Sequence, residues 1–192
     1  MRVTREKAAE NRARVIAEAG RLFREHGFNG VGVADIMNAA DLTHGGFYGQ
    51  FESKEDLAVQ ASRAAHDKSQ AVWRGIADKT PDQPLSALLD HYLSKRHRDA
   101  PASGCAFATL AVDAGRQGKA VQETFTEGLK PLVDILAKSF PKGSKAQRHR
   151  RALATMAQLV GAVVLSRAVD DAALSDEILA SAHKEILAAA EA

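Results

Sequence analysis

The chain has 192 residues, 45% of them hydrophobic and 26% charged, enough to bury a substantial core in one or two small domains of ordinary soluble composition. A net charge of only +2 excludes a polycation, so any nucleic-acid surface must be local. A single cysteine excludes an internal disulfide framework, and neither a membrane-length apolar run nor a signal-peptide core is present, so a cytoplasmic location with no membrane partner is expected.

Abundant alanine and few aromatics favour helices. The first helix is expected over Thr4 to His26, because Val15, Ala19, Leu22 and Phe23 fall on one face and Gly27 can end it. Ahead of that stripe Arg2, Arg5, Lys7, Arg12 and Arg14 outnumber Glu6 and Glu10. This is the local basic region that the net charge conceals, suited to phosphates or the minor groove.

Gly27 to Asp56 reads as a helix-turn-helix. Val33, Ile36 and Met37 keep helical spacing, Ala39 to Leu42 breaks it, and Phe47 and Phe51 start a second repeat. Thr43 is expected to cap that second helix, and Asp41 to hold a turn with positive φ. With both phenylalanines facing inward, Tyr48 points outward and offers a phenol. Ser53-Lys54-Glu55-Asp56 opens a further helix with Ser53 as cap, and Lys54 adds charge beside free backbone N–H groups.

These residues resemble the DNA-binding domain of the tetracycline-repressor-type (TetR/AcrR) regulators, in which the turn, a Thr or Ser cap, Tyr-x-x-Phe and Ser-Lys-Glu-Asp-Leu follow in this order. The likeness covers about Ala9 to Leu57. There are three departures from the pattern: Gly32 replaces the usual Thr or Ser cap, Asp41 replaces the turn glycine, and Gly45-Gly46 opens the recognition helix. Two glycines there cost about 1 kcal/mol each against alanine, so that helix is expected to be poorly formed until DNA orders it. The resemblance implies an all-α fold, with a three-helix DNA-binding domain over 1–58 and a helical ligand-binding and dimerisation domain over 59–192. The expected DNA-binding set is Arg2, Arg5, Gly32, Thr43, His44, Gly45, Gly46, Tyr48, Gly49, Gln50 and Lys54. Within it His44 and Gln50 read base edges, the glycines permit close approach, and Tyr48 and Lys54 hold phosphates.

Past Ser53 a long helix runs through Leu57, Ala61, Ala64, Ala65, Val72 and Trp73 to Ile76; Pro81 and Pro84 mark a break, with Pro84 placed for the first turn of the next helix. The next helix carries Leu85 to Leu93 and closes in Lys95 to Asp99, expected to be a solvated helix end. A loop at Ala102 to Gly104 precedes a short helix with Phe107 and Leu110, and another helix holds Val121 to Phe140 with a kink or break expected at Pro131. Two last helices are expected over Lys145 to Ala168 and Ser175 to Ala190. Their apolar residues suit a dimer built as a four-helix bundle, with Leu153, Met156, Ala157, Val160, Gly161, Val164, Ile178, Ala182 and Ile186 at the interface. As the family encloses a small molecule among such helices, Trp73, Tyr92, Cys105, Phe107 and Phe125 are the expected lining of a pocket for an apolar inducer.

No histidine pair has helical metal-site spacing, one cysteine makes no zinc cluster, and no cofactor is implied. GFNGVG follows no strand and reads as an interhelical turn. Cys105 is expected at a helix start, where the dipole can favour a thiolate, so a redox or electrophile sensor is an alternative. Lys142 to Arg151 is basic but lacks interleaved aromatics and reads as a solvated helix start. No Ser/His/Asp or Cys/His pattern of catalytic spacing supports an enzyme. The resemblance therefore implies a ligand-responsive repressor that binds a palindromic operator as a dimer, with double-stranded operator DNA, a small apolar inducer and a second copy of itself as expected partners. An all-α small-molecule-binding protein or enzyme without specific DNA binding is the other alternative.

Overall fold

The computed structural model describes residues 4–191, which are helical with no strand among them. Helix α1 spans Arg5–His26; the Thr4 hydroxyl accepts from Lys7 N–H at its start, and Gly27 ends it at φ 77°. Helix α2, Val33–Ala39, starts at Gly32, which has no capping side chain of its own. The Asp35 carboxylate supplies half of a capping box instead, accepting from Gly32 N–H at 2.9 Å. Asp41 takes φ 54°, the expected turn geometry, and is the one non-glycine residue at positive φ among those described.

The N-terminal end of one continuous hydrophobic core holds these pieces together. Phe23, Phe28, Ile36, Met37, Phe47, Phe51 and Leu57 are all buried, and each such side chain contributes roughly 1.5–3 kcal/mol. Helix α3, Lys54–Lys79, starts under the Ser53 hydroxyl, which accepts from Asp56 N–H. It then runs on for 26 residues, about 39 Å. The boundary expected after residue 58 therefore falls inside one rod shared by both halves.

Pro84 occupies the first turn of α4, Pro84–Tyr92. The charged run is not a solvated end of that helix. Ser94 caps a separate short helix, α5, Lys95–Asp99, in which Arg98 pairs with Asp176 at 2.6 Å and His97 is half buried. A 3-10 turn at Pro101–Ser103 leads to α6, Phe107–Ala114. Helix α7, Lys119–Ser139, passes through Pro131 as one helix, so the expected break does not occur. Eight buried residues including Val121, Leu132, Val133 and Leu136 hold it on both sides of the proline. Helix α8 is Lys145–Ala168, as expected, and α9, Ala172–Glu191, begins three residues before the expected Ser175 because Asp171 accepts from the N–H groups of Ala173 and Leu174.

At the centre α3 crosses α7 where His66 faces Gly128, its ring between Phe107 and Phe125 at centroid distances of 4.8 and 4.9 Å. The His66 Nε2 has no hydrogen-bond partner. Burial, with Arg24 nearby, pushes this imidazole down to about 4.

Candidate functional site

The recognition segment follows α2. His44–Gly46 form a single 3-10 turn, and residues 47–50 continue as turns rather than as an α-helix. Gly45-Gly46 accounts for this, since glycine gains least from helical order. Thr43 stands at the cap position, but its side chain makes no capping hydrogen bond. Phe47 stacks on Phe51 at 5.5 Å and turns the segment's other face outward. Tyr48 is 71% exposed on that face, its ring edge-on to Phe47 and 6.2 Å from His44. Thr43, His44, Gly45 and Gly49 are exposed beside it.

Two expected contacts sit differently. The Gln50 amide Nε2 donates to the Gly46 carbonyl at 3.1 Å and its Oε1 is buried, so the side chain presents no free edge. A Cβ at Gly46 would lie 3.7 Å from Met37, so this glycine faces the core instead of an incoming backbone. Gly45 has open space around it. Gly32, beyond the recognition segment, is exposed at the start of α2.

Arg12, expected among the phosphate-seeking cations, is instead a tie. Its guanidinium donates to the Gln50 carbonyl and to Gln60 at 2.8 Å, and lies 4.5 Å from the Phe51 ring centroid. It thereby joins α1, the recognition segment and α3. Lys7 pairs with Glu10, and Arg14 donates to Asn11. Arg5 is exposed at the start of α1, Lys54 is half buried at the start of α3, and Arg2 lies outside the described residues.

A cavity of about 440 Å³ lies between α1, α3 and the α4–α5 corner. Small residues form two of its sides, Ala17 and Gly20 from α1 and Ala61, Ala64 and Ala65 from α3. Trp73, Tyr92 and Cys105 line it as expected. Phe107 and Phe125 do not; they pack edge to face at 5.3 Å around His66. Nor is the lining simply apolar, because Arg24, Lys68, His91, Arg96 and His97 reach it.

Cys105 precedes α6 by two residues and is buried, and burial pushes its thiol up rather than down. The expected helix-start thiolate is therefore not the resting form. His97 is fixed by its neighbours: Nδ1 lies 2.7 Å from the Tyr92 carbonyl, and Nε2 accepts from Cys105 N–H at 3.0 Å. That acceptance requires the neutral ring, with the proton on Nδ1, and burial pushes His97 down to match.

Two hydrogen bonds tie α1 to the second half of the chain. Arg24 Nε donates to the Ala102 carbonyl at 2.7 Å, and Phe28 N–H donates to Asp113 at 2.7 Å. Neither pair was singled out in the sequence, because partners 78 and 85 residues apart leave no local signature.

The last two helices present an uncovered face. Leu153, Ala157, Val164 and Leu165 are exposed along α8, a Cβ at Gly161 would meet nothing within 4 Å, and Val160 is half buried beside them. Ile178 and Ala182 on α9 are half buried. Met156 and Ile186, expected on this face, belong to the chain's own core at 3% and 2% exposure. Among the described residues no group of His, Cys, Asp and Glu is placed to hold a metal, and no helix is long and apolar enough to cross a membrane.

Residues 15–61 match the model of the bacterial regulatory proteins of the tetR family. The chain is 30% identical over 89 residues to the HTH-type transcriptional regulator AcrR of Shigella flexneri, a match covering 46% of this chain and 41% of that one. The chain thus spans less than half the length of this relative. It is 24% identical over 143 residues to the HTH-type transcriptional repressor DhaR of Mycobacterium sp. strain GP1, covering 74% and 72% of the two chains. A TetR transcriptional regulator of Chloroflexus aurantiacus superposes with a TM-score of 0.76 at 25% identity over 95% of this chain and 96% of that one.

Proposed function

Because the chain belongs to the tetR family of bacterial regulatory proteins, we propose that it is a cytoplasmic, dimeric repressor that binds a palindromic operator and is released by a small molecule. The observation that carries this reading is the exposed face of the recognition segment, where His44 and the 71% exposed Tyr48 stand on a turn anchored by Phe47 and Phe51. In this reading His44 contacts base edges, Tyr48, Lys54 and Arg5 hold phosphates, and Thr43, Gly45 and Gly49 let the backbone approach. Gln50 reaches a base only if DNA binding winds the segment into a helix and frees its amide from Gly46.

The uncovered stripe of α8, with Ile178 and Ala182 of α9, suits a second copy, whose equivalent helices complete a four-helix bundle. Two recognition segments related by a two-fold axis dock about one DNA turn apart, so a ligand that changes their separation by a few ångströms lowers affinity. Support for repression comes from the repressor DhaR among the relatives.

The test is a footprint of the purified protein on the DNA flanking its own gene, at a stated near-physiological salt. Protection of a palindrome at nanomolar-range affinity is expected. Uniformly weak protection that disappears as salt rises would refute the reading, since only phosphate electrostatics would then remain.

A further inference from the structure

Building on the reading of this chain as a ligand-released DNA-binding protein, we propose that the cavity between α1, α3 and α4 takes an amphipathic organic anion. Arg24 grips its acidic group, and Trp73, Val72 and Ile16 receive its apolar body. The cavity lining contains Arg24, Lys68 and Arg96 and no aspartate or glutamate. A neutral apolar inducer has no use for three cations, and a cationic ligand would be repelled by all of them.

Arg24 is the distinctive member. Its side chain is half buried, only its Nε is engaged, on the Ala102 carbonyl, and no carboxylate lies within ion-pairing distance of it among the described residues. Arg21, three residues earlier on the same helix, has two such partners, Glu18 at 2.9 Å and Glu25 at 2.7 Å. A half-buried guanidinium with free donors and no counter-ion is set up for an incoming carboxylate, which can take two parallel N–H bonds. Lys68 and Arg96 are exposed at the rim, where they attract an anion without holding it tightly.

A second, independent observation marks the same cavity. The Tyr92 hydroxyl is buried, its residue only 1% exposed, and its neighbour is the buried Cys105 thiol, a weak partner that leaves it outside good hydrogen-bond geometry; both residues line the cavity. A thiol satisfies a buried phenol poorly, and a ligand oxygen beside it is the stronger partner. His97 is not available for this role, because both ring nitrogens are already engaged.

The position of Arg24 also supplies the coupling. It belongs to α1 of the DNA-binding half, and its bond to Ala102 fastens that helix to the 3-10 turn of the other half. A carboxylate that draws the guanidinium into the cavity competes with that bond and loosens the fastening.

The experiment titrates the full chain with octanoate, octanamide and octylamine, and with 4-phenylbutyrate against its amide. Binding is followed by calorimetry and by the fluorescence of Trp73, the single tryptophan, which lines the cavity. Operator binding is measured with and without each compound. Carboxylates are expected to bind at least about tenfold tighter than the matching amides, with amines weakest. They should weaken operator binding in the wild type, and both effects should vanish in Arg24→Met and survive in part in Arg24→Lys. Equal or tighter binding of the amides or amines, or no saturation by any carboxylate at millimolar concentration, overturns the proposal. The wild-type comparison decides this even if the Arg24 variants fold poorly. A specific footprint with no anion preference sinks the anion site alone; selective carboxylate binding without a footprint supports the anion site and sinks the regulatory reading.

Discussion

Gly128→Ala tests the packing that positions the long α3 rod. A Cβ at residue 128 would lie 2.4 Å from His66 Cγ, 2.6 Å from Cδ2 and 2.8 Å from Cβ, all closer than real Cβ contacts. The imidazole cannot swing aside, because Phe107 and Phe125 flank it at 4.8 and 4.9 Å. The helices must therefore separate. Overpacking of this kind costs about 1–3 kcal/mol, while alanine gains about 1 kcal/mol over glycine in a helix interior. The expected net loss is about 1 kcal/mol, or a fall of about 2–4 °C in Tm for a chain of this size. The assay is urea unfolding followed by Trp73 fluorescence at fixed protein concentration, in wild type, Gly128→Ala, His66→Ala and the double variant. Removing the imidazole takes away the two shortest contacts, so Gly128→Ala should be about 1 kcal/mol less damaging in the His66→Ala background. If Gly128→Ala stabilises the wild type, or the two changes are additive, the reasoning is wrong.

Gly45→Ala enters open space; if the recognition segment must become helical on DNA, about 1 kcal/mol of preorganisation should tighten operator binding roughly fivefold in a titration, whereas weaker binding would show that the backbone itself touches DNA. Asp113→Ala leaves the N–H of buried Phe28 without its acceptor; a loss of about 1–3 kcal/mol is expected, with faster amide exchange at the α1–α6 contact, and unchanged exchange there would refute the tie. His66 is held down at about 4 from its ordinary 6.5, so the unfolded chain binds its proton first as pH falls; the stability from keeping it neutral is complete above about 6.5 and lost by about 4, some 3 kcal/mol in all. Urea midpoints across that window should slope less in His66→Leu, and an unchanged slope would remove His66 as the cause.

The sequence reading succeeds where the signal is local. Ser53 caps the helix that its position announces, Pro84 sits in a first turn, and Asp41 takes positive φ, whereas Thr43 holds the expected cap position without the capping bond. The repeats at Val15, Ala19 and Phe23 and at Leu153, Ala157 and Val164 place both helices. It fails where a residue's role is set by a distant partner. Arg12 reads as a phosphate contact, but Gln50 and Gln60, at 38 and 48 residues' separation, claim its guanidinium. Phe107 and Phe125 read as pocket walls, yet buried His66 draws them together into the core. Periodicity marks Met156 and Ile186 as apolar but cannot say whether such a residue faces its own chain or another copy. Cys105 misleads for a related reason, since the helix dipole is legible in sequence and the burial that outweighs it is not.

The cavity matters because of the helix that forms its wall. One face of α1 buries Val15, Ala19 and Phe23 in the hydrophobic core, and the adjoining face presents Ile16, Ala17, Gly20 and Arg24 to the cavity. Arg12, on the same helix, donates to the carbonyl of Gln50 in the recognition segment. Arg24 and Arg12 are twelve residues apart, so about 18 Å of continuous helix joins the proposed ligand contact to the segment proposed to face DNA. A helix transmits displacement along its axis because its backbone hydrogen bonds leave no soft dihedral between the ends, whereas a signal sent through α7 or α8 would first have to cross side-chain packing. The fastenings at Ala102 and Asp113 hold this helix at its C-terminal end. Loosening the first while the second holds would pivot α1 about Phe28 and carry the Gln50 carbonyl with it, so the recognition segment moves without any change in its own fold.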